Sequence, residues 1–136
     1  MSVLVTDSGF KTDDWTGSFV PLDEVAANDS DFAIDLASDT APDALGALTS
    51  ASMIRIDFPS FADGRGFTLA AMLRRAGFEG RLRAKGHVLA DQYAMARRSG
   101  FDEVEIDDAL ASRQPEDQWR FRADWQEHDY QARVRG

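Results

Sequence analysis

ASMIRIDFPSFADGRGFTLAAMLRRAGF (51–78) decides how this chain is read. Its opening places Met53 and the pair Ile54/Ile56 in a β-favouring run, the composition of a strand. Further on, Leu69, Met72, Leu73 and Ala76 recur at helical spacing, which predicts a helix over 67–76. Gly77 is placed to end that helix in a left-handed conformation. The turn between them holds Pro59, Asp63, Gly64, Arg65 and Gly66, hemmed by Phe58, Phe61 and Phe67. Strand, glycine-rich turn and helix make one βα unit.

The same order recurs downstream. RLRAKG (81–86) reads as a strand and HVLADQYAMARRS (87–99) as a helix that Gly100 stops. FDEVEI (101–106) reads as a strand with Val104 and Ile106 on one face and Glu103 and Glu105 on the other. Asp107 then caps a short helix over 108–113, which Pro115 ends. MLRRAGF (72–78) and MARRSGF (95–101) share methionine, two arginines, glycine and phenylalanine, so two helix ends are punctuated alike. Upstream, FAIDLA (32–37) alternates Phe32, Ile34 and Leu36 as a strand does. Thr40 before Ala41-Pro42 suits a helix start, with Leu45 and Leu48 on one face. Val3–Thr6 suggests a short edge strand, and 7–31 a polar loop with one helical turn at 22–27.

Successive βα units predict an α/β domain with a mainly parallel sheet and right-handed crossovers. The 136 residues suit one domain: an irregular segment over 1–31, a βα core over 32–114 and an aromatic tail over 115–136. A complete eight-unit barrel needs about 200–250 residues, whereas four units fit either an open sheet or a barrel fragment completed by another subunit. The tail carries Trp119, Phe121, Trp125 and Tyr130, and such a segment is expected to dock on its own domain or on a neighbouring subunit.

The formal charge of −9 argues against nucleic acid and anionic membrane as general partners. No apolar run approaches the ~20 residues of a membrane span, and no signal peptide is read, so a cytoplasmic protein is expected. The chain has no cysteine and two histidines, which excludes disulfides and cysteine-held iron–sulfur clusters and leaves no pattern for a zinc site. Charge is uneven, with nine Arg/Lys against four acids over 55–98. For most of those arginines the plain reading is a solvated helix face.

Ligands of parallel sheets sit beyond the carboxyl ends of the strands, where the 57–67 turn falls. Gly64 and Gly66 would let amides approach a ligand, the helix start carries unpaired N–H groups, and Arg65 adds a forked positive charge. Together they suit sulfite, sulfate, phosphate or a carboxylate. The competing reading has Asp63 capping the helix, Arg65 pairing with Asp63 or Asp57, and the glycines shaping the turn. The next junction, RAKGHVLADQ (83–92), would share the rim, bringing Arg83, Lys85 and His87 toward Arg65, with Asp91 and Gln92 orienting them. The plain reading of a lone histidine such as His87 is structural. Asp102, Glu103, Glu105, Asp107 and Asp108 read as a solvated strand edge and a helix cap rather than a cation site.

FPSFADGRGFTLAAMLR (58–74), GRLRAKGHVLADQ (80–92) and RRSGFDEVE (97–105) together resemble the bacterial DUF934 family, over roughly 32–106. That family carries the description of an oxidoreductase involved in sulfite reduction. The resemblance implies Asp63, Gly64, Arg65, Gly66, Arg83, Asp91, Gln92 and Arg97 as site candidates, and Gly86 and Gly100 as backbone requirements. It also implies a role beside a sulfite reductase. Reducing sulfite takes redox cofactors such as haem and iron–sulfur centres, and a chain without cysteine or a dinucleotide fingerprint does not perform it unaided. The expected role is an accessory one, binding a small anion or docking to the reductase or another sulfur-assimilation enzyme. The alternative is a stand-alone oxidoreductase holding a flavin or nicotinamide without a recognisable motif. A homodimer is expected from the aromatic tail and the short sheet.

Overall fold

A computed structural model describes residues 2–12, 19–21, 33–41, 43, 45, 48, 51–60 and 64–121. Seven strands form one sheet: β1 (Ser2–Thr6), β2 (Gly9–Lys11), β3 (Phe19–Pro21), β4 (Ala33–Leu36), β5 (Met53–Phe58), β6 (Arg81–Gly86) and β7 (Glu103–Asp107). Their spatial order is β2-β1-β7-β6-β5-β4-β3. From β3 to β7 every neighbouring pair is parallel and sequential, and β1 joins β7 antiparallel with β2 outside it. The sheet is open and mainly parallel, as the βα grammar of the sequence implies. β1 differs from its expected edge position because β2 covers it. β2 and β3, three residues each, lie in the stretch expected to be loop. The helical turn expected over 22–27 falls outside the described residues.

The helices α1 (Arg65–Arg75) and α2 (Tyr93–Ser99) pack side by side on one face, over Ile54, Ile56, Leu82, Ala84 and Val104. Leu45 and Leu48 are buried in the same core. Period-two alternation in β5, β6 and β7 supplies this apolar face. α2 starts later than the sequence suggests. Gly86 adopts φ +112°, Leu89 is extended, and a 3-10 turn (Ala90–Gln92) intervenes. A side chain at Gly86 would also meet the Phe58 carbonyl oxygen at 2.8 Å.

The MLRRAGF and MARRSGF echo encodes one joint built twice. Phe78 N–H donates to Leu73 O and Gly77 N–H to Arg74 O, while Phe101 N–H donates to Ala96 O and Gly100 N–H to Arg97 O. Both are Schellman ends, with Gly77 at φ +105° and Gly100 at φ +118°. The first arginine of each pair then donates to the carbonyl of the phenylalanine four residues on, Arg74 to Phe78 at 3.0 Å and Arg97 to Phe101 at 2.6 Å. Arg74 also reaches Gly80 O and Gly100 O, tying three turns together. Arg97 pairs with Asp7.

Asp107 caps α3 (Asp108–Arg113), accepting from Leu110 N–H at 2.8 Å. After Pro115 the chain forms α4 (Glu116–Phe121), whose Trp119 is 1% exposed. Trp119 Nε1 donates to Gln114 O, its ring meets Tyr93 edge-on, and Glu116 accepts from Phe10 N–H. The beginning of the aromatic tail therefore docks on its own domain, and Trp119 presents no free aromatic surface to a second subunit.

Tyr93 is fully buried and donates to Asp7 Oδ1 at 2.5 Å. Burial, then the hydrogen bond and charge of Asp7, push its phenol far above its ordinary value of about 10. A raised folded-state pKa stabilises the protein fully below the unfolded value, and that contribution is lost as pH rises beyond it. In an alkaline titration the Tyr93 phenolate is expected to appear together with loss of circular dichroism, a coupled step that Tyr93→Phe removes. Tyr93 phenolate forming in the intact fold would contradict this.

Candidate functional site

The carboxyl ends of β4, β5, β6 and β7 share one rim, because those strands run parallel. Two separate clefts open there. The first, about 350 Å³, lies between the turn after β4 and one face of α1, and is lined by Ser38, Asp39, Thr40, Arg65, Thr68, Leu69 and Met72. Arg65, Thr68, Leu69 and Met72 fall at helical spacing, so a single helix face forms that wall. Arg65 Nη2 donates to Ser38 Oγ at 3.2 Å, and Thr40 Oγ1 donates to Ala37 O, leaving its lone pairs toward a donor. The first turn of α1 holds no acid, and Gly64 supplies no side-chain cap. Leu69 and Met72 close the apolar end.

Of the expected site residues that are described, only Arg65 lines this cleft. Gly64 is at the helix cap with φ −90°, and a Cβ there would meet nothing within 4 Å among the described residues. Gly66 serves packing, because a Cβ there would collide with the Phe58 ring. Asp63 lies outside the described residues. Gln92 spends its Oε1 on Leu89 N–H at 2.8 Å, and Asp91 is exposed on the 3-10 turn, outside both clefts. His87 Nδ1 donates to Phe58 O at 3.2 Å, since a carbonyl only accepts.

Arg83 is on neither cleft. It is 0% exposed on the sheet face opposite the helices, donating to Glu103 at 2.5 Å and Glu105 at 2.8 Å. Asp35, Arg55, Arg83 and Glu103 are successive register partners across four strands. Arg55 clasps Asp35 through two bonds and reaches Glu105, and Arg81 clasps Glu103 through two more. Burial alone would lower the Arg55 pKa, but the hydrogen bonds and charges of Asp35 and Glu105 outweigh it and raise it. The Phe19 ring lies over this layer, 3.5 Å from the Arg55 guanidinium carbon. Among the described residues, three arginines of this layer balance three carboxylates.

This corrects the reading of the β7 acids as a solvated edge. Glu103 and Glu105 are 4% and 5% exposed, and only Asp107 is a cap. The signal was present in the alternation itself. Arg55, Arg81, Arg83, Glu103 and Glu105 occupy the face of their strands that the core leaves out, cations on β5 and β6 and anions on β7.

The second cleft, about 170 Å³, opens at the ends of β6 and β7. Lys85 and His87, expected to join Arg65, line it instead. No curated protein and no solved structure matches this chain. The family model for bacterial proteins of unknown function, DUF934, matches residues 33–136. That match takes in β4 to α4 and the Arg65 cleft, and the chain belongs to the DUF934 family.

Proposed function

We propose that the protein binds a small oxyanion in the Arg65 cleft and serves sulfite reduction as an accessory to the reductase. The observation that carries the reading is the Arg65 guanidinium in a first helical turn without acids, bonded to Ser38 Oγ in a cleft that Asp39, Thr40 and Thr68 also line. A guanidinium offers two parallel donors to a tetrahedral or pyramidal anion, the Ser38 and Thr68 hydroxyls adapt as donors, and the helix start favours negative charge. The sulfur context comes from the resemblance of the 58–74, 80–92 and 97–105 motifs. A chain without cysteine holds no thiolate-ligated cluster, so its proposed part is binding and presentation rather than electron transfer. The acidic balance of the chain suits docking to a basic partner.

Isothermal titration of wild type and Arg65→Ala with sulfite, sulfate and phosphate is the direct test. Losing charge-assisted bonds of about 1.5–3 kcal/mol predicts a fall in affinity of about 10–100-fold. Equal weak heats from both proteins would remove the anion reading. Affinity capture of the tagged protein from its native cell tests the accessory role, and recovery of no sulfur-assimilation enzyme would count against it.

A further inference from the structure

The cleft at the ends of β6 and β7 has a charge pattern of its own. Lys85 sits in register between Asp57 on β5 and Glu105 on β7, yet forms no ion pair with any described residue. The reason lies in the layer beneath it. Glu105 Oε1 already accepts from Arg55 at 3.1 Å and from Arg83 at 2.8 Å. Across the opening stands Arg113, in the last turn of α3, which also forms no ion pair among the described residues. The other acid of the wall, Asp107, spends Oδ1 on the Leu110 amide. Two cations therefore line one space with two carboxylates, of which Glu105 Oε1 is shared by two arginines and Asp107 Oδ1 is held by an amide.

We propose that this cleft is a second anion site, taking a small oxygen-bearing dianion between Lys85 and Arg113. Its volume of about 170 Å³ equals that of about five or six waters, enough for an inorganic oxyanion or a short dicarboxylate. A divalent cation is the wrong guest. Two guanidiniums already crowd Glu105, and no three acidic or histidine side chains among the described residues converge as metal ligands. The site shares the strand-end rim with the Arg65 cleft but no lining residue, so the two stand or fall separately.

The test uses the full chain, amide-resolved NMR and two probes, inorganic phosphate and malonate. At least one probe is expected to shift the Gly86, His87 and Leu110 amides in a saturable way. Lys85→Ala and Arg113→Ala are each expected to weaken that response at least about tenfold, while Arg65→Ala leaves it unchanged. Response to phosphate alone assigns an inorganic guest, and response to malonate a carboxylate. Absence of saturable shifts at these amides with both probes, or wild-type affinity in both charge-removing variants, overturns the proposal. Lys85 and Arg113 are exposed, and an unchanged wild-type-like spectrum elsewhere confirms that the variants fold.

Discussion

Arg83→Ala is expected to cost about 3–5 kcal/mol of folding stability, because it leaves buried carboxylates without their shared partner. Glu103 and Glu105 are nearly inaccessible to water, and the Arg83 guanidinium is wedged between them. Arg81 still holds both Glu103 oxygens and Arg55 the Glu105 oxygen that Arg83 shares, so the layer is expected to weaken rather than dissolve. Arg83→Lys is expected to recover only part of the loss. A single ammonium cannot reproduce two forked contacts on different carboxylates. Urea denaturation followed by circular dichroism and tryptophan fluorescence measures both variants. A loss below about 1 kcal/mol for Arg83→Ala, the level of an exposed pair, would show that the layer is solvated.

Trp119→Ala is expected to be comparably severe, about 3–5 kcal/mol, as removal of a fully buried indole leaves a cavity against Tyr93. Its effect has a second component. Gln114 both accepts from Trp119 through its backbone and accepts from Ala90 N–H through its side chain, so the indole braces the 3-10 turn before α2. Trp119→Phe keeps most of the apolar contact and loses the Nε1 bond, for an expected cost of about 1 kcal/mol beyond the size change. Denaturation midpoints of the two variants separate packing from hydrogen bonding. Equal midpoints for Trp119→Ala and wild type would mean that α4 is undocked in solution.

The parallel core was legible because its units are locally complete. RLRAKG matches β6 end to end, and Gly77 and Gly100 stop helices by the conformation expected of them. β2 and β3 were not legible. Three residues are too few for periodicity, and their pairing is set by neighbours distant in the chain. For the site, Arg65 was legible from its place after a strand in a glycine-rich turn. The failure at Arg83 has a simple cause: a strand alternates, so a residue three positions before the strand end points to a face rather than to the rim. Its charge suggested solvent, and only register with Glu103 and Arg55 shows that other charges replace the water. The arginines of the two RR pairs looked like helix surface, but Arg74 and Arg97 close turns that glycine alone leaves with bare carbonyls.

The order of strands also sets a timetable for folding. From β3 to β7 each new strand lies against the one made just before it, so these five of the seven strands can grow as a relay of local closures. β1 is the exception: Ser2 aligns with Asp107 and Val5 with Val104, a span of nearly the whole described chain. β1 must wait for β7, about a hundred residues later, before that edge is paired, and closing so long a loop carries an entropic cost that grows only logarithmically with length. During synthesis, the β7-facing edge of β1, with Leu4 and Val5, stays unpaired until β7 is made, and Lys11 on the adjoining β2 puts a charge beside it in the meantime.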